Sequence, residues 1–326
     1  MPLLLTEADV RAVLTMDDLI ASMKAALVQF SDGAVQQPLR TVLEVGEQKA
    51  FFGVMPAALP RLPAMGTKLV TVFAGNAAAG LPTHLATILL LDPGTGGLLS
   101  VMDGRYITEA RTAAVSAVSA DLLARPDAGR LAILGSGVQA RSHLEAIARV
   151  RTLREVRIWS RTEARREAFV ADMQSQVTAP LVAAASAREA VDGADLIVLA
   201  TASREPVLSN AWVADGAHIC AVGACRPDQR ETDTAVVRRA RVIVDSRAGA
   251  LAEAGDLVIP IREGAFDASQ IAGELGEVAS GRVRGRTFDR QVTLFKSLGM
   301  AVEDVAAAHL AYARASERGL GRGVVI

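Results

Sequence analysis

From Asp17 to Phe30 (DDLIASMKAALVQF) apolar residues recur every three to four positions behind an acidic start, which predicts an amphipathic helix. After Pro38 the period changes. LRTVLEV, KAFFGVM, TKLVTVF, HLATILLLD and LLSVMDG are short alternating or wholly apolar runs separated by glycine and proline. They predict strands of an antiparallel or mixed sheet. Ile107 to Ala124 (ITEARTAAVSAVSADLLA) predicts a long helix of small residues, closed by Pro126 and Gly129. From Arg130 strand and helix patterns alternate. RLAILG, VRIWS, PLVAAA, DLIVLAT, HICAVG and RVIVDS read as strands, with VQARSHLEAIARV and TEARREAFVADM among the helices between them. That alternation implies a parallel sheet covered on both faces. The tail, KSLGMAVEDVAAAHLAYARASERGL, reads as one more helix.

Composition narrows the function classes. At 326 residues the chain suits two domains rather than one core. The formal net charge of -1 gives no basic footprint for nucleic acid or an anionic membrane, and 4% aromatic residues leave little for base stacking. No apolar run approaches the roughly 20 residues of a membrane helix. The opening MPLLLTEADV lacks the basic start and long apolar stretch of a signal peptide. Two cysteines, Cys220 and Cys225, are too few for a disulfide framework, so reduced thiols and a cytoplasmic protein are expected.

The run RLAILG breaks into Gly135-Ser136-Gly137-Val138-Gln139-Ala140, which fits G-x-G-x-x-A between a strand and a helix. The first glycine permits the tight turn, the second lets backbone approach a pyrophosphate, and the small third residue lets helix and strand pack closely. Free N–H groups at the helix start then face the anion. In this context the motif predicts dinucleotide binding. The next strand ends in Ser160-Arg161-Thr162, without the carboxylate that takes the ribose 2′-hydroxyl in NAD sites. Two hydroxyls and a guanidinium suit a 2′-phosphate, so NADP(H) is preferred and NAD(H) allowed. Thr201-Ala202-Ser203, after the fourth strand of the unit, is expected to line the adenosine side, and Val222-Gly223-Ala224 the cofactor after the fifth.

Arg40, Lys68 and Arg111 are cations in apolar or small-residue surroundings. Burying them is costly unless an anion partners them, and a substrate carboxylate is one such anion. Each taken alone could equally be a structural ion-pair partner. Met55 is expected at a pocket wall. Asn76 could touch a substrate, although loop polarity explains it equally well. Asp103, Glu109 and Asp304 have surface or helix-capping explanations. Four scattered histidines and two cysteines form no metal-ligand cluster, so no metal is expected.

Taken in order, QPLRTVL, FFGVMPA, MGTKLVTVF, LPTHLATILLLDPGTGGLLSVMDG, ITEARTAAVSA, ILGSGVQARSH, VRIWSRT, AVGACRPDQRE and FKSLGMAVEDV make the chain resemble the ornithine cyclodeaminase/mu-crystallin family over nearly its full length. The likeness is greatest to the mu-crystallin, ketimine-reductase branch. The resemblance implies an α/β fold in which a Rossmann domain is inserted into an N-terminal α/β dimerisation domain completed by the C-terminal helix. The expected boundaries are 1–118 with 303–326 for the dimerisation and substrate domain and 119–302 for the nucleotide domain. It also implies a homodimer and a substrate facing the nicotinamide in the gap between domains. By the same resemblance Arg40 and Lys68 hold the substrate carboxylate; Lys68 is also expected to supply or relay a proton, because buried lysines shift pKa readily. Arg111 bridges substrate and cofactor, Thr83 and His84 lie on the nicotinamide side, and Ser297 and Leu298 contact the nicotinamide end.

One departure bears on the reaction. Where the cyclodeaminases carry a base aspartate after a Gly-Gly pair, this chain has Cys225 after Gly223-Ala224. A thiol, with an unperturbed pKa near roughly 8.5, is a poor carboxylate substitute. Cys225 as a covalent nucleophile stays open beside the plainer reading of a small residue lining the cofactor. The expected activity is NADPH-dependent reduction of a ketimine or imino acid to an L-amino acid. The substrate is either cyclic, such as pyrroline- or piperideine-2-carboxylate, or an acyclic 2-imino acid. Alanine-dehydrogenase-like or N-alkyl amino acid-forming activity, ornithine cyclodeamination, and a non-catalytic nucleotide-binding protein are the alternatives.

Overall fold

Residues 1–46 and 50–325 are described by the computed structural model of the chain. Lys49, which opens the expected strand KAFFGVM, lies outside the described residues. In chain order the elements are β1 (Leu3–Leu5), α1 (Glu7–Val13), α2 (Met16–Ser31), β2 (Thr41–Val45), β3 (Ala50–Leu59), β4 (Ala64–Val72), β5 (His84–Leu91), β6 (Leu98–Asp103) and α3 (Arg105–Leu123). There follow β7 (Arg130–Leu134), α4 (Val138–Val150), β8 (Glu155–Trp159), α5 (Glu163–Met173), β9 (Leu181–Ala183), α6 (Ala187–Val191), β10 (Leu196–Leu199), β11 (His218–Ala221), α7 (Thr234–Arg239) and β12 (Arg241–Val244). The chain ends with α8 (Arg247–Glu253), α9 (Gly255–Arg262), β13 (Ile271–Glu274), α10 (Leu275–Ala279), β14 (Thr293–Lys296), α11 (Ala301–Arg318) and β15 (Arg322–Gly323). The fold is α/β. Two compact units result, Met1–Arg111 with Gly299–Ile326, and Thr112–Leu298. The first divide falls inside α3, where the sequence pattern carries no break, against the 118/119 expected from sequence. The second falls after Leu298, against the expected 302/303.

The first unit is built on a mixed sheet ordered β15-β1-β6-β5-β4-β3-β2. Strands β2 to β6 form an antiparallel meander, with β1 parallel to β6 at one side. Period-two alternation gives the sheet an inner and an outer face. On the inner face Gly53, Met55, Ala57 and Leu59 of β3 and Gly66, Lys68 and Val70 of β4 are buried. Helix α11 lies across this face beside α2. Its buried Ala306, Ala307, Ala308, Ala311 and Ala315 bring the backbone close to the strands. On the outer face Leu43, Phe52, Thr71 and Leu85 form one cross-strand row, and Leu43 and Leu85 are exposed.

The second unit holds a sheet ordered β13-β12-β14-β11-β10-β7-β8-β9, every neighbouring pair parallel. Its inner strand β10 reads as an unbroken apolar run, and β11 and β14 are fully buried beside it, because both faces are covered. Ile133 with Leu144, Ile147 and Phe169 belongs to the core on one face. Leu134, Ile197, Leu199, Val237 and Leu257 belong to the core on the other. Strand order reverses between β7 and β10, the switch point where ligands of such sheets bind beyond the carboxyl ends.

The sequence reading of Lys296 to Leu320 as one helix is corrected. Lys296 ends β14, in the middle of the parallel sheet, and Gly299 takes a φ of 78°, so the helix cannot begin before it. Among the described residues no helix is long and apolar enough to cross a membrane.

Candidate functional site

In the first unit the site begins with Lys68. Its inner-face position on β4 aligns it with Met55 on β3 and Ile88 on β5, and only 2% of the residue is exposed. An ammonium buried there requires an anion. Asp304, in the first turn of α11, supplies it, with Oδ2 2.7 Å from Nζ. Arg111 donates from Nε to the other Asp304 oxygen at 2.9 Å and from a terminal nitrogen to Glu303 at 2.6 Å. Arg111, Glu303 and Asp304 are all buried. Gly299 is required beside them, because a Cβ there would lie 2.3 Å from the Arg111 guanidinium.

The charges of this cluster set its proton chemistry. Burial pushes the Lys68 ammonium down; Asp304 opposes that shift, while Arg111 and Arg40 add to it, and the result is about 8. A lysine poised there can lose a proton near neutral pH. Burial would raise the Asp304 carboxyl, but Arg111 and Lys68 outweigh it and hold the group below the ordinary carboxylate range. His84, at the start of β5, is pushed down to about 4 by burial and then by Lys68 and Arg111, so its imidazole is neutral at physiological pH. The reading of Asp304 as a surface or capping residue is therefore corrected. Asp304 in fact joins two buried cations. Asp103 does cap α3, accepting from the N–H groups of Arg105 and Tyr106.

The other expected residues of this unit are less committed. Arg40 is half-buried just before β2, and its charge reaches Lys68. Met55 is 3% exposed. The Asn76 side chain donates to the Pro82 carbonyl at 2.9 Å, so its amide braces the loop ahead of β5. Thr83 is exposed, and its carbonyl accepts from Phe73 across the base of that loop.

In the second unit the glycine turn joins β7 to α4. Gly135 has a φ of 123°, and a Cβ on it would lie 2.3 Å from the Ala200 carbonyl oxygen, so the turn admits only glycine. Gly137 is the N-cap of α4, no side chain caps it, and nothing lies within 4 Å of where its Cβ would be. Val138 is exposed, while Ala140 is fully buried against the sheet. The leading N–H groups of α4 are thus available to an anion through an open approach. Gln139 Oε1 is buried with no partner among the described residues.

Around the turn, Ser136 donates to Ser160 at 3.0 Å and Ser160 to the Thr162 carbonyl at 3.3 Å. Arg161 and Thr162 are exposed at the end of β8. Thr201 follows β10, Ala202 is exposed, and Ser203 donates to the Glu205 carbonyl at 2.7 Å. Val222, Gly223 and Ala224 follow β11, and the Cys225 thiol lies 3.5 Å from the Val222 carbonyl, to which it donates. Ser297 and Leu298 follow β14, both nearly buried, and the Ser297 hydroxyl has no partner among the described residues. The residues singled out in this unit therefore stand at the carboxyl ends of β7, β8, β10, β11 and β14. Glu231, Asp256 and Lys296, fully buried behind those ends, were missed; each looks like a surface charge when read locally.

A family model described as ornithine cyclodeaminase/mu-crystallin family matches residues 1–319. The ketimine reductase mu-crystallin of Mus musculus is 46% identical over 297 residues, covering 90% of this chain and 91% of its own. The structure of Thermococcus litoralis Delta(1)-pyrroline-2-carboxylate reductase, in complex with NADH and L-proline, superposes with a TM-score of 0.97 at 39% identity, covering 99% of this chain and 100% of that one. An archaeal alanine dehydrogenase dimer with bound NAD gives a TM-score of 0.95 at 32% identity, covering 100% and 99%.

Proposed function

The chain belongs to the ornithine cyclodeaminase/mu-crystallin family, and we propose that it reduces an imine with an adjacent carboxylate to the L-amino acid, with NADPH as preferred reductant. It is an NAD(P)H-dependent oxidoreductase acting on C=N groups. The observation that carries the substrate reading is the buried Lys68–Asp304–Arg111 cluster, in which a lysine brought down to about 8 sits among guanidinium groups.

The residues of the second unit fit a dinucleotide. The Gly135 turn leaves no room for a Cβ, Gly137 leaves the start of α4 open, and the Ser297 hydroxyl has no partner among the described residues. These groups would hold the pyrophosphate and the nicotinamide end, and Thr201, Ala202, Ser203, Val222, Gly223, Ala224 and Leu298 would line it. When bound, the nucleotide supplies a hydride for the C=N carbon. Arg40 and Lys68 hold the substrate carboxylate and so fix the orientation of the reacting carbon. Lys68 Nζ gives a proton to the imine nitrogen, and Asp304 keeps that ammonium in place. Arg111, itself anchored on Glu303 and Asp304, would brace the carboxylate end. Met55 walls the substrate. A panel of cyclic and acyclic carboxylated imines, followed by loss of NADPH absorbance, tests the reading. Turnover with at least one is expected, and silence with all would overturn it.

The preference for NADPH is supported by Ser160, Arg161 and Thr162, which present two hydroxyls and an exposed guanidinium with no carboxylate among them. Tighter binding of NADH than of NADPH would reverse it. Cys225 in place of an acidic base speaks against ornithine cyclodeamination, and ammonia release from ornithine would restore that reaction. A homodimer is supported by the exposed Leu43 and Leu85 on the outer face of the first sheet and by the archaeal relative, a dimer. Sedimentation at a single protomer mass would remove it.

A further inference from the structure

Glu231 is fully buried, and both of its carboxylate oxygens are occupied by donors from two different loops. Oε1 accepts from the N–H and the hydroxyl of Thr201, each at 2.7 Å, and Oε2 accepts from the N–H of Gly223 at 2.7 Å. Thr201 follows β10 and Gly223 follows β11, so one side chain ties together the carboxyl ends of adjacent parallel strands. The approach is close enough that a Cβ on Gly223 would lie 2.0 Å from the Thr201 carbonyl oxygen and 2.5 Å from Glu231 itself.

The residue is pinned from behind. Its N–H donates to Asp256 Oδ1 at 2.8 Å, and its carbonyl accepts from Val207 and Leu208. The same Asp256 oxygen takes the N–H and hydroxyl of Thr232, and the other pairs with Lys296 at 2.9 Å. Lys296 is the last residue of β14, directly before Ser297 and Leu298. A continuous chain of charge-assisted hydrogen bonds therefore links the ends of β10, β11 and β14. Those are the strands on one side of the switch point, the half of a doubly wound sheet that receives the second mononucleotide.

We propose that Glu231 is a positioning residue for the nicotinamide half of the cofactor. Resting on the nucleotide reading above, this assigns it the task of holding the Thr201 and Gly223 loops at the spacing that the nicotinamide ribose and ring require, and it moves Thr201 from the adenosine side expected from sequence to the nicotinamide side, because β10 lies across the switch point from β7 and β8. The adenosine half, on the glycine turn and β8, is left independent of it. The charged and polar groups facing Glu231 are Lys296 on β14, Asp256 on α9 and Thr201. No covalent step is involved.

The test compares fragments on the full-length protein. Wild-type and Glu231→Gln proteins are titrated with NADPH, with NADH and with the adenosine half alone, as ADP and its 2′-phosphorylated form. An amide cannot accept on both ends, so it leaves either Gly223 or Thr201 facing a donor. The expected result is binding of the whole nucleotides weakened roughly tenfold or more, the effect of losing a charge-assisted hydrogen bond, with the fragments unchanged within about twofold. Equal weakening of fragments and whole nucleotides would mean a merely structural residue and overturn the proposal, as would no weakening at all. Should Glu231→Gln not melt cooperatively, Glu231→Asp, which keeps the charge but is one methylene short of bridging both loops, carries the same expectation. Failure of the wild-type protein to bind either nucleotide would instead refute the nucleotide reading itself.

Discussion

The two units each bury a lysine against an aspartate, and the two lysines behave in opposite ways. Lys68 pairs with Asp304 in the first unit and Lys296 with Asp256 in the second, at 2.7 and 2.9 Å. Burial lowers both. Around Lys296 the partner Asp256 and, beyond it, the carboxyl of Glu231 outweigh burial and raise it. Around Lys68 the remaining charges are the guanidinium groups of Arg111 and Arg40, which carry it down to about 8. On the function proposed above, the same ion pair is a fixed strut where its surroundings are negative and would serve as a proton source where they are positive. What separates scaffold from chemistry is therefore the sign of the field beyond the partner.

The comparison is broken most severely by removing Asp256. Asp256→Ala leaves Lys296 buried without its anion and strips acceptors from Glu231 and Thr232, so a loss of about 3–5 kcal/mol is expected in urea unfolding. A wild-type midpoint would show that this pair is not a strut. Lys68→Ala should instead act on chemistry. Turnover of the imine is expected to drop by roughly 10²–10⁴-fold, while NADPH affinity is unchanged, because the general acid is lost and the nucleotide site is not. If binding falls as much as turnover, the division of labour between the two lysines is wrong.

A third expectation concerns pH. With Lys68 at about 8, reduction should slow as pH rises through that value, since the ammonium is the donor. Stability should move the other way. Between about 8 and the ordinary lysine value of 10.5 the unfolded chain holds the proton that the native state has released, so this group's contribution rises with pH. Asp304→Asn removes the charge that props Lys68 up and should shift the rate limb to lower pH. A limb that stays at the same pH would mean another group carries it. The smallest effect is expected at His84. Because its imidazole is already neutral down to about 4, His84→Gln should leave the shape of the pH–rate profile above pH 5 unaltered, whatever it does to the amplitude.

Much of the scaffold was readable because its signals are local. Gly135, Gly137 and Ala140 specify their turn by size alone, and the strand–helix alternation after Arg130 needs only period counting. The cations Arg40, Lys68 and Arg111 stood out against apolar neighbours. Asp304 did not, because an acidic residue in the first turn of a helix is fully explained by the helix dipole. Its pairing with Lys68 spans the whole chain and has no sequence signature. Lys296, the last residue of the strand TLFK, was assigned to the following helix because a lysine there looks like a surface residue. Only the acidic groups brought from Asp256 and Glu231 make that lysine tolerable inside a sheet. Glu231 was hidden in the same way, within a stretch rich in charge.

The row of Leu43, Phe52, Thr71 and Leu85 on the outer sheet face carries a thermodynamic consequence. If that face is where two copies meet, part of each protomer's folding free energy is a mass-action term, and dilution alone weakens the fold without touching a single residue. Resistance to heat would then be a property of the solution as well as of the chain, growing with the logarithm of protein concentration.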